Sequence, residues 1–214
     1  MAIIYRADIR PTKLELIGDW LPSQSWCTAE AHLQLLAVGA YRFDDPNGQV
    51  GIETHLVHAE DGSLLQVPLT YRDAPLPGGK RWLIGTMEHS VLGQRWVYDA
   101  CGDPVYATAV ASTILGGGTQ AEEFVEVDGR REPRTTNLSV TGSGSPGNEV
   151  AGVATVDELN CSTDGVVTVV NAAGTELRIC RVVDPLADIV REHTLTGTWA
   201  GQEEPVLLAT ARRT

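Results

Sequence analysis

Few residues in this chain have the type and spacing that chemistry requires. It has 5 histidines, 4 cysteines and only two lysines, Lys13 and Lys80, against 28 acidic side chains. The densest run of chemically able groups is Glu53-Thr-His55-Leu-Val-His58. On a strand, side chains alternate between faces, so His55 and His58 point to opposite sides and cannot share one ion without a bulge. Glu53 and His55 do share a face, which makes them a candidate acid–imidazole pair; a solvent-facing or internally bonded histidine is the simpler reading. Glu88-His89 splits between faces in the same way. A lysine-dependent reaction has only Lys13 and Lys80 to draw on.

A second candidate is Gly142-Ser-Gly144-Ser-Pro-Gly147, formally G-x-G-x-x-G. In a dinucleotide site this motif joins a strand to a helix whose N-terminus holds pyrophosphate. Here residues 148–156 read as a strand, so the dinucleotide reading fails on context. A strand–glycine loop–strand is the arrangement that covers ATP phosphates in kinases. Gly142, Gly144 and Gly147 are therefore nucleotide-binding candidates, with a plain hairpin tip as the alternative. Gly116-Gly-Gly118 lacks a following lysine and reads as the end of a helix. No H-E-x-x-H, G-x-S-x-G or S-x-x-K pattern occurs. Cys27, Cys101, Cys161 and Cys180 form no C-x-x-C pair and read as reduced thiols. Neither a metal nor a cofactor is expected.

The elements that must position these residues are mostly strands. Ile3–Asp8 opens as a strand, and Pro11 starts a short helix with Leu14, Ile17 and Leu21 on one face. Strands follow over 35–43, 49–59, 63–71, 82–91 and 95–99, separated by Asn47-Gly48, Glu60-Asp61-Gly62 and a Pro/Gly loop. Connections this short predict an antiparallel meander. Asp103-Pro104 caps a helix running to Gly116, with Val105, Ala109 and Ile114 as its apolar stripe. Beyond Gln120, strands are predicted at 124–127, 136–141, 149–159, 166–171, 175–183, 194–200 and 205–211, with a short helix from Asp184-Pro185 to about His193. The fold class is α+β, with two mainly antiparallel β-sheets and two or three short helices.

At 214 residues the chain holds one large domain or two small ones. Composition shifts after Gln120, where tryptophan disappears until Trp199, so the expected units are 1–120 and 121–214. Both are acidic, so there is no detachable acidic tail. A net charge of −12 repels phosphate backbones and anionic lipid, which excludes nucleic-acid and membrane-surface roles. No signal peptide and no apolar run of about 20 residues is read, so the cytoplasm is the expected compartment. Trp20, Trp26, Trp82, Trp96, Tyr5, Tyr41, Tyr71 and Tyr98 gather in the first half. They suit a core, or surfaces that stack on sugar rings.

Several motifs of the first half resemble the N-terminal cap domain of maltokinases: Leu65-Gln-Val-Pro-Leu-Thr-Tyr71, Leu83-Ile-Gly-Thr86, Val97-Tyr-Asp-Ala100 and Asp103-Pro104. The second half is similar to the intermediate part of the kinase N-lobe. There Thr135–Val140 resembles the phosphate-loop strand and Glu176–Arg181 the lysine strand. The residue nearest the family's ATP-contacting lysine is Arg178, and 121–214 contains no lysine. No H-G-D-like catalytic loop or D-F-E-like metal-binding segment occurs. The resemblance implies a non-catalytic cap-like protein of α-glucan, maltose or amino-sugar metabolism, acting by binding a protein partner or a carbohydrate. The alternatives are a split or degenerate sugar phosphotransferase, with nucleotide at 142–147 near Arg178, and a homo-oligomer pairing exposed sheet edges. The oligomeric state is left open.

Overall fold

Turn chemistry and alternating burial divide the chain into short strands around two helices. The computed structural model describes residues 2–4, 7–29, 32–127, 130–148, 150, 152–187 and 193–214. In chain order these form β1 (Ala2–Ile4), β2 (Ile9–Arg10), α1 (Lys13–Trp20), β3 (Leu36–Phe43), β4 (Gly51–His58), β5 (Leu64–Arg72), β6 (Leu83–His89) and β7 (Gly93–Asp99). Helix α2 (Pro104–Gly116) follows, then β8 (Glu123–Val127), β9 (Arg130–Pro133), β10 (Leu138–Gly142), β11 (Asn160–Asp164) and β12 (Val167–Ala172). The chain finishes with β13 (Thr175–Cys180), β14 (Val182–Val183), β15 (His193–Trp199) and β16 (Gln202–Arg213). The α+β expectation stands: the two large sheets are antiparallel. A small third sheet, β1-β8-β9, contains one parallel pair, β1 with β8.

The first large sheet runs β2-β6-β7-β5-β4-β3, with β14 pairing β5. It is not a simple meander, because β5 pairs with β7 and not with β6, which follows it in sequence. The second runs β10-β15-β16-β13-β12-β11. Helix α2 lies between the two. Tyr41, Phe43, Ile52 and Leu56 of the first sheet, Val110, Ala111 and Ile114 of α2, and Leu138, Leu177, Leu195 and Leu208 of the second share one core. The buried face of α2 is therefore Tyr106, Ala107, Val110, Ala111, Ile114 and Leu115 rather than the stripe through Val105 and Ala109. A helix covered on two sides is apolar nearly all round, so periodicity does not select its face. The other face of the first sheet packs Val57, Val67, Leu69 and Val97 against Ile17 and Leu21 at α1 and the turn after it.

Helix α1 starts one turn-residue later than Pro11 implies. Thr12 caps it in a reciprocal box with Glu15, which satisfies two otherwise orphaned N-terminal donors. The segment read as a strand at 149–159 contains no strand among its described residues. It turns through Val156–Glu158, and Val156 and Leu159 bury their side chains. The expected helix from Asp184 begins as a turn closed by Ala187 N–H on Asp184 O, and its remainder lies outside the described residues, as does Tyr5.

Candidate functional site

Arg42 of β3 and Glu53 of β4 are directly opposed in the antiparallel register, and Tyr71 of β5 stands opposite Gly51 on the same face. This places a carboxylate, a guanidinium and a phenol together before any loop is considered. Lys13, the first residue of α1, reaches across to complete the group. Glu53 accepts from Arg42 Nη2 at 2.7 Å, from Lys13 Nζ at 2.5 Å and from the Tyr71 hydroxyl at 3.0 Å. His55 Nε2 lies 3.2 Å from Glu53 Oε2 and 3.3 Å from the Tyr71 oxygen. The Glu53–His55 pair predicted from strand alternation is thus formed, within a larger cluster. Behind it, Arg42 Nε approaches Glu123 at 3.7 Å, and Arg134 bonds the same carboxylate at 3.2 Å.

Burial alone would push the Glu53 carboxyl up; Arg42, His55 and Lys13 overcome that and hold it well below the usual carboxylate range. Burial pulls Lys13 down from the normal ammonium value, with Glu53 only partly restoring it. Burial and the facing Glu53 charge raise the Tyr71 phenol well above its ordinary value. Lysine at the first position of a helix is disfavoured by the helix dipole, so its placement here depends on Glu53.

Lys13, Arg42 and Tyr71 of this cluster line a cleft of about 400 Å³. Ile9, Ile52, Met87, Leu92, Arg95 and the β3–β4 turn also line it. Asp45 shapes that turn: its carboxylate accepts from the backbone N–H groups of Asn47, Gln49 and Val50 at 3.0, 2.9 and 2.9 Å. The far side of the turn borders a second cleft of about 580 Å³, with Thr108 and Ser112 of α2 on its other wall.

The motif residues of the first half have structural duties. Gln66 donates to the carbonyls of Cys180 and Leu208, both at 2.9 Å, and accepts from Tyr41 at 3.0 Å. Gln66 N–H reaches Arg181 O beside β14, and Pro68 has the same backbone orientation. It falls in the gap between the pairing of β14 with Leu64 and Leu65 and that of β7 from Leu69 onward. A residue without an N–H fits there because no ladder bond is due. Asp99 binds Arg181 at 2.6 Å, and both side chains are buried. Asp103 caps α2 and holds Arg72 through two bonds of 2.7 Å.

The glycine loop is built for a different contact from phosphate. Gly142, Gly144 and Ser145 donate their N–H groups to Gly118, Ile114 and Leu115 carbonyls, at 2.8, 2.9 and 3.0 Å. A Cβ on Gly142 would overlap Thr113 O, and one on Gly144 would overlap Leu115 O. The loop therefore caps the C-terminal end of α2, whose dipole is negative, and the amides a phosphate needs are engaged. Gly147 is in open space with φ +93°. Arg178 is not brought to this loop. Gly142, Leu195, Ala209 and Ile179 form one row across β10, β15, β16 and β13, so Arg178 lies next to a position three strands away. At about 4.8 Å per strand that is about 14 Å.

Sequence reasoning found Glu53 and His55 but missed Lys13, Arg42 and Tyr71 as their company. The one available signal was that Lys13 is one of two lysines in the chain. Among the described residues no group of three or more His, Cys, Asp or Glu is placed to hold a metal ion. No described helix is long and apolar enough to cross a membrane.

Residues 20–103 match the maltokinase N-terminal cap domain. That segment contains every residue named above as lining the first cleft except Ile9 and Lys13. No curated protein matches the chain. Among solved structures, one described as glucosamine kinase in complex with glucosamine, ADP and inorganic phosphate is similar at 14% identity and a TM-score of 0.48. The match covers 95% of this chain and 41% of that one, so this chain spans less than half its length.

Proposed function

We propose, from the maltokinase N-terminal cap domain carried by residues 20–103, that this chain is a carbohydrate-binding protein of α-glucan, maltose or amino-sugar metabolism. It works by binding rather than by phosphoryl transfer, and the cleft beside Lys13, Arg42 and Tyr71 is its sugar site. The observation that carries this reading is the coincidence of the cap segment with a half-open cleft of about 400 Å³. Its walls combine apolar surface with rigidly held polar groups, the usual make-up of a small-ligand pocket. Sugars need both, since their C–H faces lie on apolar walls while their hydroxyls take directional hydrogen bonds.

The nucleotide reading at 142–147 has weaker support, because the loop amides are bonded to α2. Isothermal titration against maltose, glucosamine and short α-glucans tests the proposal, together with pull-down from native cytosol for bound glycans and proteins. Saturable heat with at least one sugar, lost on narrowing the cleft by Gly51→Leu, is the expected result. Absence of heat with every sugar and of any recovered glycan would overturn it.

A further inference from the structure

The β3–β4 turn belongs to two clefts at once. Phe43, Asp44 and Asp45 line both the first, of about 400 Å³, and the second, of about 580 Å³, so the two meet at this turn. Three backbone N–H bonds to Asp45 fix its shape. Asn47 and Gln49 are exposed on it, and among the described residues their side-chain amides make no hydrogen bond. Asn47 lines the second cleft and Gln49 the first. Each amide therefore offers donors and an acceptor from a backbone already held in place.

The second cleft also has an apolar side, made by Val105 and Ala109 of α2 with Val153, all partly buried. Thr108 and Thr113 spend their hydroxyl protons on carbonyls of their own helix, at 3.0 and 2.9 Å. Ser112 is exposed, and its hydroxyl makes no hydrogen bond among the described residues. Among those residues no lysine, arginine or histidine lines this cleft, so it offers no countercharge to a phosphate or carboxylate. An apolar wall with unspent neutral donors and acceptors suits a polyhydroxylated ligand that carries no anionic group.

Resting on the carbohydrate reading of the first cleft, we infer that the second cleft is a further subsite, and that the ligand is an α-linked glucan chain long enough to pass over the turn from one cleft into the other. An α-linked glucan curves and can follow a surface that rises between two hollows, whereas a β-linked chain runs straight. Asn47 and Gln49 bond the hydroxyls of the units that cross the turn. Ser112 and the apolar wall of α2 take the far end of the chain. Because the turn is already held by Asp45, each added unit gains contacts without the cost of ordering the protein.

The test is isothermal titration of the intact chain with maltose, maltotetraose and maltoheptaose, with cellobiose, cellohexaose and glucosamine alongside. Affinity should rise about tenfold or more from maltose to maltoheptaose. Cellohexaose should gain nothing over cellobiose. Ser112→Trp puts a ring into the second cleft from an exposed helix position, and it should bring maltoheptaose down to the level of maltose. Asn47→Ala keeps the backbone bond to Asp45 and should remove part of the gain, so the test holds even if Ser112→Trp disturbs α2. Equal affinity for all maltodextrins, a gain that survives both variants, an equal gain along the cellodextrins, or binding of glucosamine without any maltodextrin would each overturn this inference while leaving the carbohydrate reading in place. Failure of every sugar to bind would remove both.

Discussion

Glu53 is the residue on which the cluster turns, because four groups from three strands and a helix share its two oxygens. Replacing it with alanine strands Arg42 and Lys13 together in a part-buried site. Breaking a buried pair from one side costs about 3–5 kcal/mol, so Glu53→Ala should lower the urea midpoint by that equivalent. The carboxyl is held below its unfolded value of about 4.3. A depressed folded value means stabilisation that is complete above the unfolded value and is lost as pH falls through it towards the folded one. Stability measured by urea titration should therefore be level from neutrality to about pH 5 and then decline. In Glu53→Gln the decline should be shallower; an unchanged acid limb would show that other carboxylates set it. Two of the five members of this cluster are legible in sequence. Glu53 and His55 are two apart on one strand, so alternation suffices. Arg42, Tyr71 and Lys13 join through pairing and helix packing, for which a single sequence holds no local signal.

At the level of elements, the glycine loop and α2 act as one unit. Gly142 and Gly144 are glycines because their backbone must touch the last turn of α2. Gly142→Ala and Gly144→Ala should each cost about 1–3 kcal/mol by forcing the loop off the helix, as overpacking does. Gly152→Ala, whose Cβ would meet nothing within 4 Å, is the control and should be close to neutral. Equal effects at all three positions in thermal denaturation would contradict this account. Most strands were legible because turn residues bound them and their apolar positions repeat. Strand β11 was not: Asn160-Cys-Ser-Thr-Asp164 is an edge strand with four of its five residues exposed, so it shows no apolar alternation. The segment before it misled in the opposite way, since Val156 and Leu159 are apolar to fill cores from an irregular backbone. The pairing of β5 with β7 was equally hidden, because loop length constrains strand direction but not which neighbour is taken.

For the whole molecule, the question is whether residues 1–120 and 121–214 behave as separate units. The bonds between them are numerous and buried: Gln66 reaches Cys180 and Leu208, Asp99 reaches Arg181, and β14 extends the first sheet. Their apolar side chains share one core with α2 in its middle. Cutting at residue 120 would leave the Gln66 amide N–H groups and the Asp99 charge without their partners and uncover one side of α2, costs that together approach a marginal domain's total stability. Calorimetry should therefore give one transition with equal calorimetric and van't Hoff enthalpies. Two transitions would establish two independent units. Arg181→Ala should shift the single transition down by the equivalent of about 3–5 kcal/mol, because Asp99 is left charged and buried. The double variant Asp99→Leu with Arg181→Met should recover most of that loss, since an apolar pair removes the charge that lacked a partner. Recovery would identify the ion pair as a fastening between the halves. A double variant as unstable as Arg181→Ala would instead place the cost in the lost bond from Arg181 to Thr168 and in the packing of its guanidinium, which lies 5.3 Å from the ring centre of Trp26.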